Sequence, residues 1–154
     1  MTFVVIRVRG TVNVSTEISD TLKMLRLNRA NHCVLVPNKK SYAGMLQKVK
    51  DYVTWGEAKP ETMAKMIIRR GRLTGDKKIS DKYIKSNSDY SSVMAFAKAL
   101  VKEEVEYKDL QDIKPVIRLH PPRKGYEGLK RSYSEGGALG YRGKDMDALI
   151  DRML

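Results

Sequence analysis

A mixed α and β fold is what the sequence predicts, with strands and helices alternating early and a longer, mostly helical extension behind them. Three observations carry that reading. Short β-branched runs stand at 3–9, 32–36 and 52–55, and each is closed by a Gly or Pro. The segments between them place apolar residues at helical spacing behind capping residues. Beyond Ala58-Lys59-Pro60 the helical period dominates.

In order, FVVIRVR at 3–9 alternates, with Val4, Ile6 and Val8 on one face and Arg7 and Arg9 on the other. Ser15 or Thr16 caps a first helix with Glu17 and Asp20 in its first turn and Ile18, Leu22 and Leu25 inward. A strand from His32 to Val36 stops at Pro37-Asn38. Ser41 then caps a second helix whose buried face is Tyr42, Met45, Leu46 and Val49, and a third strand runs from Tyr52 to Trp55. These elements form an expected core domain, 1–57, with 58–154 as its extension. In the extension, a helix at 60–70 carries Pro60 at its first position and Arg69, Arg70 and Arg72 at its end. Helices at 80–85 and 91–104 follow, the second burying Val93, Phe96, Ala97, Leu100 and Val101. Val116, Ile117 and Leu119 mark a late strand at 115–120, then a basic, glycine-rich loop occupies 121–144. The last helix, 145–154, has Asp145 as N-cap and Met146, Leu149, Ile150 and Met153 on one stripe. That stripe is expected to pack on the body and pin the basic segment; a groove on a partner protein is the other reading.

Composition narrows the function. The 154-residue chain has a net charge of +12, with both signs spread along it, as in a folded polyanion binder. A single cysteine, Cys33, excludes an intramolecular disulfide. The apolar run Phe3–Ile6 is broken by Arg7 and Arg9, too short for a signal peptide, and no stretch reaches transmembrane length. A soluble, intracellular protein is expected. Residues 114–144 hold eight Lys/Arg (Lys114, Arg118, Arg123, Lys124, Lys130, Arg131, Arg142, Lys144) against Glu127 and Glu135. Half of the net charge thus lies in one fifth of the chain, interleaved with six glycines and Tyr126, Tyr133 and Tyr141. Cations neutralise phosphates, tyrosine rings stack, and glycines let backbone approach a polyanion. A disordered basic tail is the competing reading, against which the patterned terminal helix counts.

Catalytic constellations are missing. His32 and Cys33 are strand neighbours that point to opposite faces, so they make no thiol–imidazole dyad. One Cys and two separated His form no structural zinc site. GGALGYRGKD lacks dinucleotide spacing, and Asp145 stands where a phosphate-binding loop needs Ser or Thr. His120 reads better as a stacking or phosphate-contacting imidazole than as a general base. Arg26 and Arg29 flank the exit of the first helix, Lys39 and Lys40 the entry to the second, and the arginine cluster the end of the third. Such placement at element ends favours phosphate contact. No zinc finger, RNP1 run or dependable helix-turn-helix spacing is visible, so the residues reach shape- and phosphate-directed binding of structured RNA.

The assembled residues resemble the large-subunit ribosomal protein family numbered thirty, in the long form of archaea, related to the eukaryotic protein numbered seven. The core pattern is Thr21-Leu22, Leu25, Leu27, Arg29, His32 and Val34, then Met45-Leu46, Val49 and Tyr52-Val53. The extension adds RGRLTG at 70–75, RLHPPRKG at 118–125 and SEGGALGYRG at 134–143, which look like markers of the long form. Helix-joined strands by default suggest parallel neighbours. The resemblance implies instead an α+β fold: a small, mainly antiparallel three-stranded sheet, ferredoxin-like-related, with two helices on one face and one late strand in the extension.

It also implies a non-enzymatic, structural constituent of the large ribosomal subunit in the cytoplasm. The expected partners are large-subunit ribosomal RNA and neighbouring ribosomal proteins, with no membrane, small-molecule substrate, metal or cofactor. Candidate RNA-binding residues are Arg26, Arg29, Lys39, Lys40, Arg69, Arg70, Arg72, His120, Arg123, Lys124, Lys130, Arg131, Tyr133, Arg142 and Lys144. The alternatives are a free RNA-binding assembly factor and an RNA-processing enzyme, for which only His120 with Glu127 or Glu135 could be nominated.

Overall fold

The computed structural model describes residues 2–154. Its elements run β1 (Phe3–Arg7), α1 (Thr16–Met24), β2 (His32–Val36), α2 (Lys40–Lys48), β3 (Val53–Glu57), α3 (Pro60–Arg70), α4 (Asp81–Asn87) and α5 (Val93–Val101). The remainder is β4 (Ile117–Arg118), β5 (Gly128–Ser132), β6 (Gly137–Tyr141) and α6 (Met146–Met153). The strands form one mixed sheet in the order β4-β2-β1-β3-β6-β5. β1 is antiparallel to both β2 and β3, and β2 to β4, whereas β6 runs parallel to β3 and β5. The fold is therefore α+β with a mainly antiparallel core, as the resemblance implied.

Both faces of the sheet are covered. Val5, Val34, Val36, Val53 and Trp55 bury against Leu22, Leu25 and Leu27 around α1 and Leu46 and Val49 around α2. On the opposite face, Val4, Ile6 and Cys33 pack under Met63, Met66 and Ile67 of α3, Phe96 and Leu100 of α5, and Met146, Leu149, Ile150 and Met153 of α6. In β1, Val4 and Ile6 lie on one side and Arg7 on the other, as the alternation predicts, but the side that holds Arg7 is apolar as well. Val5 and Arg7 share the α1/α2 face, and Arg7 is buried. Its Nη1 donates to the Leu27 carbonyl at 2.7 Å, Nε to Arg9 O at 2.9 Å and Nη2 to Gly10 O at 3.2 Å. The charge is tolerated because three carbonyl dipoles receive it.

The sheet grows beyond the three expected strands because the extension contributes three of its own. The expected late strand contracts to Ile117–Arg118, which pairs only with Cys33 and His32. Residues 121–144, expected as a loop, contain β5 and β6. Propensity hid them, since Gly, Lys and Arg are poor strand signals. Gly137 is needed where β5 and β6 close up, because a Cβ there would run into the Arg131 carbonyl. Gly56 likewise lets the turn before α6 settle on β3: a Cβ there would meet Gly143 O and Met146 Cγ.

Two expected caps differ. α2 begins two residues earlier, with Lys39 at the N-cap, so Ser41 lies inside the helix. Asp145 occupies the N-cap of α6 without a side-chain cap bond, because its carboxylate accepts from the Tyr133 hydroxyl.

Candidate nucleic-acid interface

The expected basic residues occupy several surfaces. Arg26 and Arg29 lie in the α1–β2 connection, both exposed. Leu25 and Leu27 on either side of Arg26 turn inward, and Arg26 takes φ 62°, which leaves its side chain in solvent. Lys39 and Lys40 stand exposed at the entry to α2, Lys39 with Glu106 at 3.9 Å. Arg69, Arg70 and Arg72 end α3, where cations suit the helix dipole. Arg72 Nη1 donates to Arg69 O at 3.1 Å and Gly71 O at 2.9 Å, closing the helix end with a side chain.

In the tail, Arg123 and Lys124 project from a turn in which Lys124 has φ 65°. The turn is anchored by the Arg123 amide, which donates to Arg152 O at 3.0 Å. Lys130, Arg131 and Lys144 are exposed. His120 is also exposed, with Nδ1 2.7 Å from Pro121 O and no carboxylate bonded to it.

Two expected contacts are committed internally. Arg142 departs from the expectation most clearly: it is buried, donating from Nε to Thr54 Oγ1 and from Nη2 to Ala138 O, each at 2.9 Å. Its Nη2 also lies 3.7 Å from Glu127, and its guanidinium sits over the Tyr133 ring, 4.8 Å from the centroid. Burial lowers the Arg142 pKa, opposed by Glu127. Tyr133 donates a hydrogen bond from its hydroxyl to Asp145 and presents its ring to Arg142. This pair ties the tail to β3 and to the start of α6. Glu127, offered above as a partner for His120, is likewise engaged, with Arg152 at 3.0 Å. Burial raises its carboxyl pKa, but a backbone hydrogen bond, Arg142 and Arg152 outweigh that and hold it below the ordinary value.

The sheet also brings together a group that single-residue reading missed. Arg118 of β4 pairs with His32 of β2, and both approach Arg29 around a cleft of about 460 Å³ completed by Asn28. On its other side, Arg118 joins Arg70, Arg72, Asp76, Lys114 and Val116 around a notch of about 30 Å³. Asp76, the acid of this notch, is bonded to Lys114 at 2.7 Å. A signal for Arg118 existed: a short apolar run between Pro115 and Pro121-Pro122 suits an edge strand, and an arginine within it faces open surface. Among the described residues no cluster of His, Cys, Asp and Glu could hold a metal ion, and no helix is long and apolar enough to cross a membrane.

Comparison with known proteins adds a family. The model for ribosomal protein L30p/L7e matches residues 3–53, from β1 to the start of β3. A protein of Methanobrevibacter smithii named large ribosomal subunit protein uL30 is 56% identical over 152 residues, 99% of each chain. Proteins of the same name from Methanoculleus marisnigri and Archaeoglobus fulgidus are each 50% identical over 151 residues, covering 98% of this chain and 99% of theirs. Similarity therefore runs through the extension as well as the core. With such identity over nearly its whole length, the chain belongs to the uL30 family of ribosomal proteins, the L30p/L7e group.

Proposed function

We propose that this protein is a structural constituent of the large ribosomal subunit that binds and stabilises large-subunit ribosomal RNA, mainly through phosphate and shape contacts. The observation that carries the reading is end-to-end similarity to proteins named for that subunit. The surface chemistry agrees with it. Exposed Arg26, Arg29, Arg69, Arg123, Lys124, Lys130, Arg131 and Lys144 offer charge from both core and extension, and phosphates on structured RNA are its natural complement. His120 adds a solvent-facing imidazole, while Lys40, Arg70 and Arg72 widen the charged surface. Neighbouring ribosomal proteins are the second class of partner. No enzymatic step belongs to this role, and His120 Nδ1 rests against Pro121 O at 2.7 Å.

Sedimentation of cell extract at moderate salt tests the proposal. A tagged chain should travel with large subunits at one copy per particle. Free or substoichiometric protein would overturn the structural role in favour of an assembly factor. Release of a chemical product by purified protein, abolished by His120→Gln, would instead favour an enzyme.

A further inference from the structure

The cleft between Arg29 and Arg118 is built across the junction of core and extension. Arg29 comes from the α1–β2 connection and Arg118 from β4, which is in place only when the extension has docked on β2. Both side chains are exposed, and neither is hydrogen-bonded or ion-paired among the described residues. Of the four residues around the cleft, two are arginines, one is asparagine, one is histidine, and none is acidic.

His32 lines the cleft between the two arginines. His32 Nδ1 is buried without a hydrogen-bond partner. Burial lowers the imidazole pKa, and Arg118, Arg29 and Arg7 lower it further. Arg7 lies one step beyond the Ile6–Cys33 pair, so Arg118, Arg29 and Arg7 all disfavour a charge on the ring. The groups facing it from the packed elements are thus Arg7 of β1, Arg118 of β4 and Arg29 of the connection. Placing arginines together with no bonded acid costs electrostatic free energy in the free protein, and an anion between them recovers it.

We propose that this cleft seats the sugar–phosphate backbone of an RNA strand, with Arg29 and Arg118 as a two-sided cationic clamp. The planar guanidinium fork matches phosphate oxygens in pairs, which a lysine ammonium does not. Asn28 supplies an amide that can both donate to and accept from a ribose 2′-hydroxyl. Arg70 and Arg72, across Arg118, continue the positive rim, as a linear polyanion requires and a single small anion does not. β4 is the edge strand, so the strip has an open side along which a nucleic-acid strand can run. The inference rests on the ribosomal reading above and locates one contact within it.

The test uses the full chain with a large-subunit ribosomal RNA transcript, binding being measured over a series of salt concentrations. Arg29→Gln and Arg118→Gln should each make the log–log salt slope shallower by about 0.7–0.9, and the double variant by about 1.4–1.8. Arg118→Lys should keep the slope and weaken binding, since it retains charge and loses the fork. Thermal midpoints of the Gln variants should not fall, because neither guanidinium bonds within the fold and removing one relieves repulsion. Wild-type slopes in both Gln variants, with tight wild-type binding, would overturn the clamp and leave the ribosomal reading intact. Failure of the wild-type chain to sediment with large subunits would overturn the ribosomal reading on its own terms. If polyglutamate at equal charge competed as well as RNA, the cleft would belong to an acidic protein instead.

Discussion

Arg142 and Arg7 are chemically ordinary arginines whose neighbours turn them into internal struts. Removing the Arg142 guanidinium leaves the buried Ala138 carbonyl without this donor, whereas the Thr54 hydroxyl keeps its bond to Gly140 O at 2.8 Å. A buried polar group left without its partner costs about 1–3 kcal/mol. Arg142→Met is therefore expected to lower the unfolding free energy read from urea titration by about 1–3 kcal/mol, and an unchanged value would contradict the strut. His32 adds a pH dependence with a defined sign. Burial and three arginines depress its pKa below the ordinary 6.5, so the unfolded chain binds the proton more readily than the fold does. The resulting stability is fully present above about pH 6.5 and is lost as pH falls through the depressed pKa. His32→Gln should flatten the stability profile in that acid window. A profile identical to wild type would mean that another group carries the acid sensitivity.

Among the elements, α6 connects most of the molecule. Met146, Leu149, Ile150 and Met153 are all at most 1% exposed, so the stripe legible in the sequence is a fully docked one. The helix also holds the start of the basic segment by its backbone: the His120 amide donates to Met153 O and the Arg123 amide to Arg152 O, each at 3.0 Å. Fully burying such side chains contributes about 1.5–3 kcal/mol each. Leu149→Ser with Ile150→Ser should then release α6, and hydrogen exchange should accelerate at the His120 and Arg123 amides while α1, α2 and β1 keep their protection. Retained protection at those two amides would show that the segment is held by other contacts.

For the whole molecule, the decisive feature is that the sheet is covered on both sides. α1 and α2 protect one face, and the other is closed only by α3, α5 and α6 of the extension. A fragment comprising residues 1–57 would expose Val4, Ile6 and Cys33, each fully buried in the intact chain. Exposed apolar sheet surface drives association. The fragment should self-associate or give poorly dispersed amide spectra. A monomeric, well-dispersed fragment would show that the core folds without its cover. The buried Cys33 thiol, its pKa pushed up by burial, serves as a reporter: it should resist alkylation in the full chain and react readily in the fragment.

Local order was written in the sequence wherever it depends on near neighbours. Helical spacing in α3, α5 and α6, the Ser15 cap and the Gly and Pro stops all act within a few residues, so the local pattern exposed them. The concentration of charge in 114–144 was equally legible, as was the family pattern. Tertiary structure decided the rest. β5 and β6 have weak strand propensity and exist because a distant β3 offers its edge, with the Trp55 carbonyl taking the Arg142 amide at 2.9 Å. Arg7 and Arg9 are two residues apart in one run, yet three inward carbonyls bury the first while the second stays partly in solvent. Arg29 and Arg118, far apart in sequence, share a cleft only because β4 pairs with β2. Local spacing specifies which segments become strands or helices, but which charges are buried and which converge depends on long-range pairing, whose free energy belongs to the packed whole.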